Sequence, residues 1–151
     1  FKVRICWETN GGLDERFLEK MLELSYDTGG IIKFDLKAYN KNLHIALCGT
    51  DNSITFSNFK KIGKEISQTK LILVGSTLLV PGYIDEKEIS GIAKFISDIN
   101  PEIPYSLLAF HPDYLMNDLP ITSKKDAYKF LKICKEAGLV HTHLGNIHLL
   151  A

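Results

Sequence analysis

The sequence has 151 residues, enough for one domain with a sizeable core. Hydrophobic residues make up 45% and charged residues 24%, the profile of an ordinary folded protein. Lys+Arg and Asp+Glu both number 18, which argues against a general attraction to nucleic acid or to an anionic membrane. No apolar run approaches the roughly 20 residues of a membrane span, and no signal peptide is visible. A cytoplasmic location is expected. The three cysteines, Cys6, Cys48 and Cys134, fit no zinc or iron–sulfur spacing, and their odd number argues against a disulfide framework. They read as small buried hydrophobes in a reducing compartment.

Strand-like runs fall at residues 2–7, 30–34, 70–80, 105–110 and 139–144, with starts 28 to 40 residues apart, close to the length of a βαβ unit. Between them lie helical patterns. Over 14–25, Phe17, Leu18, Met21 and Leu22 form an apolar stripe. Phe56, Phe59, Ile62 and Ile66 form another, on a helix ending near Ser67. Ile89, Ile92, Ala93 and Ile96 follow Asp85, an N-cap candidate. Ala127, Phe130, Leu131 and Cys134 follow Thr122 as N-cap, with Gly138 as the stop. The strands are nearly all apolar, as expected of a parallel sheet covered by helices. Five units are too few for a closed eight-stranded barrel, so an open sheet or part of a barrel is expected, in one domain spanning residues 1–151.

Polar motifs follow the strands: Glu8-Thr9-Asn10-Gly11, Asp35-Leu36-Lys37, Val80-Pro81-Gly82 and His111-Pro112-Asp113. In a repeating β/α chain the C-terminal strand ends form one rim, where such folds place their chemistry. Each motif alone has an alternative. The first reads equally as a turn with helix-capping residues, and its polar trio also suits a carboxylate, ribose or cation. Asp35 and Lys37 lie on one side of a strand by period two and read equally as a solvated ion pair. Pro81-Gly82 is mainly a turn signal. A lone His111 is more often a satisfied loop residue. His141 and His143 share a strand face without a metal-like partner.

Taken in order, the motifs resemble the later part of radical S-adenosylmethionine (radical SAM) enzymes of the pyruvate formate-lyase activating enzyme type. The segment FHPDYLMNDLPITS, with GLVHTHLGNIH after a helix, is similar to the AmmeMemoRadiSam-system branch. The resemblance covers residues 2–148. It implies an α/β fold: a partial TIM-like (β/α) barrel with S-adenosylmethionine and a [4Fe–4S] cluster at its rim. It implies cofactor-binding positions at Glu8, Thr9, Asn10, Asp35, Lys37, Leu78 and His111. Glu8, Thr9 and Asp35 correspond to positions that hold a monovalent cation, Glu8 standing where Asp is more usual. Ser76 stands where activating enzymes tend to carry Arg.

Two family motifs are absent: Cys-x-x-x-Cys-x-x-Cys, which binds the cluster, and Gly-Gly-Glu-Pro. Phe1 is not an initiator, so the expectation is the C-terminal two-thirds of a radical SAM barrel, lacking its N-terminal units and its cluster ligands. The expected activity of the whole is reductive cleavage of S-adenosylmethionine to a 5′-deoxyadenosyl radical, with a glycyl-radical protein as a candidate substrate. No catalytic residue is assigned to this chain, and the piece alone is expected to be inactive. The alternatives are a Schiff-base aldolase or lyase using Lys37 and a non-catalytic binding module. An uncovered first strand would favour self-association.

Overall fold

The structure is a computed structural model, and it describes residues 3–65 and 72–151. The expected strand residues Lys2, Lys70 and Leu71, and helix residues Ile66 and Ser67, lie outside the described residues. The described elements run β1 (Trp7–Thr9), α1 (Glu15–Thr28), β2 (Ile32–Asp35), α2 (Lys41–Cys48), α3 (Ser53–Glu65), β3 (Leu73–Leu79), α4 (Glu86–Ile99), β4 (Tyr105–Ala109), α5 (Lys124–Glu136) and β5 (Thr142–Gly145). All four strand pairings are parallel, in the order β1-β2-β3-β4-β5. Successive right-handed crossovers place their helices on one side of such a sheet.

Local chemistry sets the helix ends. The Asp14 side chain accepts from Arg16 N–H at the start of α1, and Asp85 accepts from Lys87 and Glu88 N–H at the start of α4. The N-cap of α5 is Ser123, one residue beyond the expected Thr122. Thr122 is 2% exposed, and its hydroxyl accepts from Phe110 N–H (2.7 Å) while donating to Leu79 C=O (2.8 Å). The sequence patterns had not singled out α2, which is short. Its own signals are Asn40, accepting from Asn42 and Leu43 N–H, and the left-handed Gly49 at its end.

β1 is shorter and later than expected. Ahead of it, Ile5 is bonded to α1 rather than to a strand: its N–H donates to Thr28 Oγ1 (3.0 Å), and Ser25 Oγ donates to its carbonyl (3.4 Å). Glu8 and Thr9 therefore lie within the strand, not after it. Phe17 is 64% exposed, outside the buried stripe expected of it, because Leu18 is the residue α1 turns inward. Cys6 and Cys48 are exposed, and only Cys134 is buried as expected.

The two sheet faces differ, which qualifies the expectation of nearly all-apolar strands. One face carries Ile32 and Phe34, Leu73, Gly75, Thr77 and Leu79, and Tyr105, Leu107 and Ala109, all buried. Phe59 of α3 meets Phe34 edge-on at 5.4 Å between ring centres, and an added methyl at Gly75 would touch Ile96 of α4 at 3.2 Å. Ile89, Ile92, Ala93 and Ile96 are fully buried, each large side chain contributing about 1.5–3 kcal/mol. The alternate positions, Glu8, Lys33, Asp35, Ser76, Ser106 and His143, share the opposite face through the strand register. Among the described residues, α3 and α4 pack on the first face, and polar residues survive on the second. Among the described residues no helix is long and apolar enough to cross a membrane.

Candidate functional site at the C-terminal strand edge

Because every strand is parallel, the turns after β1, β2, β3, β4 and β5 emerge at one edge. The first is shaped by its own side chains. Thr9 Oγ1 accepts from Gly11 N–H and Asn10 Oδ1 from Gly12 N–H, both at 3.0 Å. From α3, Thr55 Oγ1 donates to Asn10 C=O, and Asn58 Nδ2 donates to the carbonyls of Gly11 and Leu13. Gly11 has φ +75°, and a Cβ there would lie 2.5 Å from the Phe34 ring. Glycine is required on both counts.

Glu8 and Asp35 sit on the open face, each with a lysine. Lys33 Nζ is 2.9 Å from Glu8 Oε1, and Lys37 Nζ is 2.9 Å from Asp35 Oδ2. Ser76 Oγ, fully buried, donates to Asp35 Oδ1 at 2.7 Å. Burial pushes the Asp35 carboxyl up. The hydrogen bonds from Lys37 and Ser76, with the charges of Lys37 and Lys33, outweigh it and hold the carboxyl below its usual range. Lys37 is thus engaged by a carboxylate, an arrangement that opposes Schiff-base chemistry, which needs a free amine.

Leu78 and His111 meet elsewhere on the same edge. They line a cleft of about 520 Å³ with Phe110, Tyr114, Met116 and Asn146. His111 is half exposed, with Nδ1 3.2 Å from Asp113 Oδ2. Tyr114 (φ +54°) and Asn146 (φ +55°) are the described non-glycine residues with positive φ, and both face this cleft. Strained backbone of this kind tends to collect at ligand sites. The structure therefore gathers Glu8 with Asp35 on the open face, and Leu78 with His111 in the cleft. Thr9, in register with Phe34, turns its side chain toward the helix-covered face. Sequence reasoning missed Lys33, whose signal was the same period of two that linked Asp35 to Lys37. It also missed the pairing of Ser106 with His143, Oγ to Nε2 at 3.0 Å.

The cysteines do not gather. Cys6 precedes β1, Cys48 ends α2 and Cys134 lies inside α5. Among the described residues no group of three or more His, Cys, Asp or Glu side chains could hold a metal ion. The residues present do not fit a [4Fe–4S] cluster.

This architecture is a partial (β/α) barrel. It matches a domain of a pyruvate-formate lyase-activating enzyme from Bacteroides vulgatus with a TM-score of 0.78 and 17% identity, over 95% of this chain and 82% of that one. No family model matches the sequence. Individual proteins do. A Methanocaldococcus jannaschii protein, whose name proposes a glycyl-radical enzyme activating enzyme, is 34% identical over 116 residues, 77% of this chain and 42% of the relative. The isethionate sulfite-lyase activating enzyme of Desulfovibrio desulfuricans is 30% identical over 112 residues, 73% of this chain and 33% of the relative. The chain is a homologue of glycyl-radical enzyme activating enzymes, and it spans less than half the length of these two relatives.

Proposed function

We propose that this chain forms the later part, about two-thirds, of the barrel of a cytoplasmic radical SAM activating enzyme, as one domain. Its part is to bind and orient S-adenosylmethionine at the C-terminal strand edge. In the whole protein, a [4Fe–4S] cluster would supply reductive cleavage of that molecule to a 5′-deoxyadenosyl radical, with a glycyl-radical enzyme as the protein substrate. No step through the cluster is assigned to these residues, because their cysteines do not assemble one. The observation that carries this reading is the match to two proteins whose names specify activating enzymes, over 77% and 73% of the chain.

The residues assigned to the cofactor are Glu8, Thr9, Asn10, Asp35, Lys37, Leu78 and His111. S-adenosylmethionine carries an amino acid end and a nucleoside end. The paired charges of Asp35 and Lys37 suit the first, since a charge-assisted contact contributes about 1.5–3 kcal/mol. The cleft of Leu78 and His111 suits the second, being largely apolar with a polar rim. Thr9 and Asn10 act through the shape of their turn, which presents Glu8.

The test is calorimetric titration of S-adenosylmethionine into the whole protein. Lys37→Ala and Asp35→Ala should each weaken binding about 10- to 100-fold. Both effects should be well beyond that of Asp113→Ala, whose carboxylate is 81% exposed at the cleft rim beside His111. Unchanged affinity in both rim variants would refute the assignment.

A further inference from the structure

We infer that the Lys33 ammonium is the resident cation of the open face, filling from within the chain the place that the family resemblance gives to a monovalent ion. An ion held by Glu8, Thr9 and Asp35 needs their oxygens to converge. The structure gives four of those five oxygens other partners. The Thr9 hydroxyl turns toward the opposite face and accepts from Gly11 N–H. Asp35 Oδ1 accepts from Ser76, and Oδ2 accepts from Lys37. Glu8 Oε1 accepts from Lys33.

Burial shows which partner the Glu8–Lys33 pair serves. The Lys33 side chain is 22% exposed and that of Glu8 is 74% exposed. Lys33 is the less exposed member, its stem lying on the sheet between Glu8 and Val74, which are its register partners on β1 and β3. A carboxylate turned toward a partly sheltered ammonium offsets some of its lost hydration. Charge balance agrees. Glu8 and Asp35 carry two negative charges, and Lys33 and Lys37 carry two positive ones. A metal ion added here would be an uncompensated charge, and it would first have to displace Lys33 from Glu8. The ligand's carboxylate would instead meet a fixed N–H donor, and its binding would be indifferent to the identity of the salt.

The role toward the ligand rests on the function proposed above, but the test uses no ligand, so the two fail separately. The whole protein, Lys33→Met and Lys33→Arg are melted in KCl, NaCl and choline chloride at equal ionic strength. The native protein and Lys33→Arg should melt at the same temperature in all three salts. Lys33→Met leaves Glu8 unpaired and should melt below the native protein in all three salts. A salt-specific shift in the native protein, or a Lys33→Met variant as stable as the native protein, would overturn the inference. Thallium-205 resonance on the native protein gives a second measurement that needs no variant to fold. No potassium-competed bound signal is expected, and such a signal would overturn the inference.

Discussion

Glu88 offers the sharpest test of how the strand edge is held. Its carboxylate, 7% exposed at the start of α4, accepts from Tyr39 N–H (2.5 Å) and from Asn40 N–H (3.0 and 3.3 Å). These amides lead into α2, two and three residues after Lys37. Glu88→Ala leaves both without their acceptor. A hydrogen bond to a charged group contributes about 1.5–3 kcal/mol, and water reaches the exposed side of Tyr39 and Asn40, so the net loss should be about 2–4 kcal/mol. For a chain of this length that lowers the melting temperature by about 4–16 °C. Glu88→Gln keeps one acceptor oxygen and should lose about 1 kcal/mol. Scanning calorimetry reads the stability. Hydrogen exchange should show the Tyr39 and Asn40 amides protected in the native protein and fast in Glu88→Ala. An alanine variant that melts within about 1 °C of the native protein, with unchanged exchange at both amides, would refute the reasoning.

Thr122→Val keeps the shape of a buried bridge but removes its hydroxyl, leaving Phe110 N–H and Leu79 C=O unpaired. Thermal melts should fall by about 4–8 °C, with Thr122→Ser falling less. Thiol labelling of the native protein should modify the exposed Cys6 and Cys48 and spare Cys134, whose thiol burial pushes up to about 12; labelling of Cys134 at the global unfolding rate or slower is consistent, and faster labelling is not. Asp35→Asn should be less stable than the native protein at neutral pH. Because the folded carboxyl is held below its unfolded value, its contribution is present above about pH 4 and is lost as pH falls through the folded value. The gap between the two proteins should close in acid melts, and a gap that widens there would contradict the sign.

Much of this organisation is legible in the sequence. The strand runs, the α4 stripe and the Asp85 cap announce βα units, and parallel order alone carries Asp35, Pro81 and His111 to one edge. What escaped depends on contacts between elements. Thr122 looks like a cap because it precedes an amphipathic run, and only the packed structure shows its hydroxyl spanning β3 and β4. The strands read as nearly all apolar because Ser76, Thr77 and Ser106 are small and stand among large apolar neighbours. Lys33 carries no motif of its own, and its role depends on Glu8 lying opposite it in register. Glu88 looks like one more acid in the first turn of a helix, yet its partners are 48 and 49 residues away.

The strand order has a consequence for how this chain reaches its fold. Among the described residues, each strand pairs only with those immediately before and after it in the sequence. No ladder has to wait for a distant segment, so loop closure never spans more than one βα unit at a time. During synthesis each new unit can dock on the edge just completed, from β1 toward β5, as the chain emerges in that direction. The order of assembly then follows the order of translation. Of the described ladders, the one between β4 and β5, which brings Asn146 to the cleft beside His111, closes after the others.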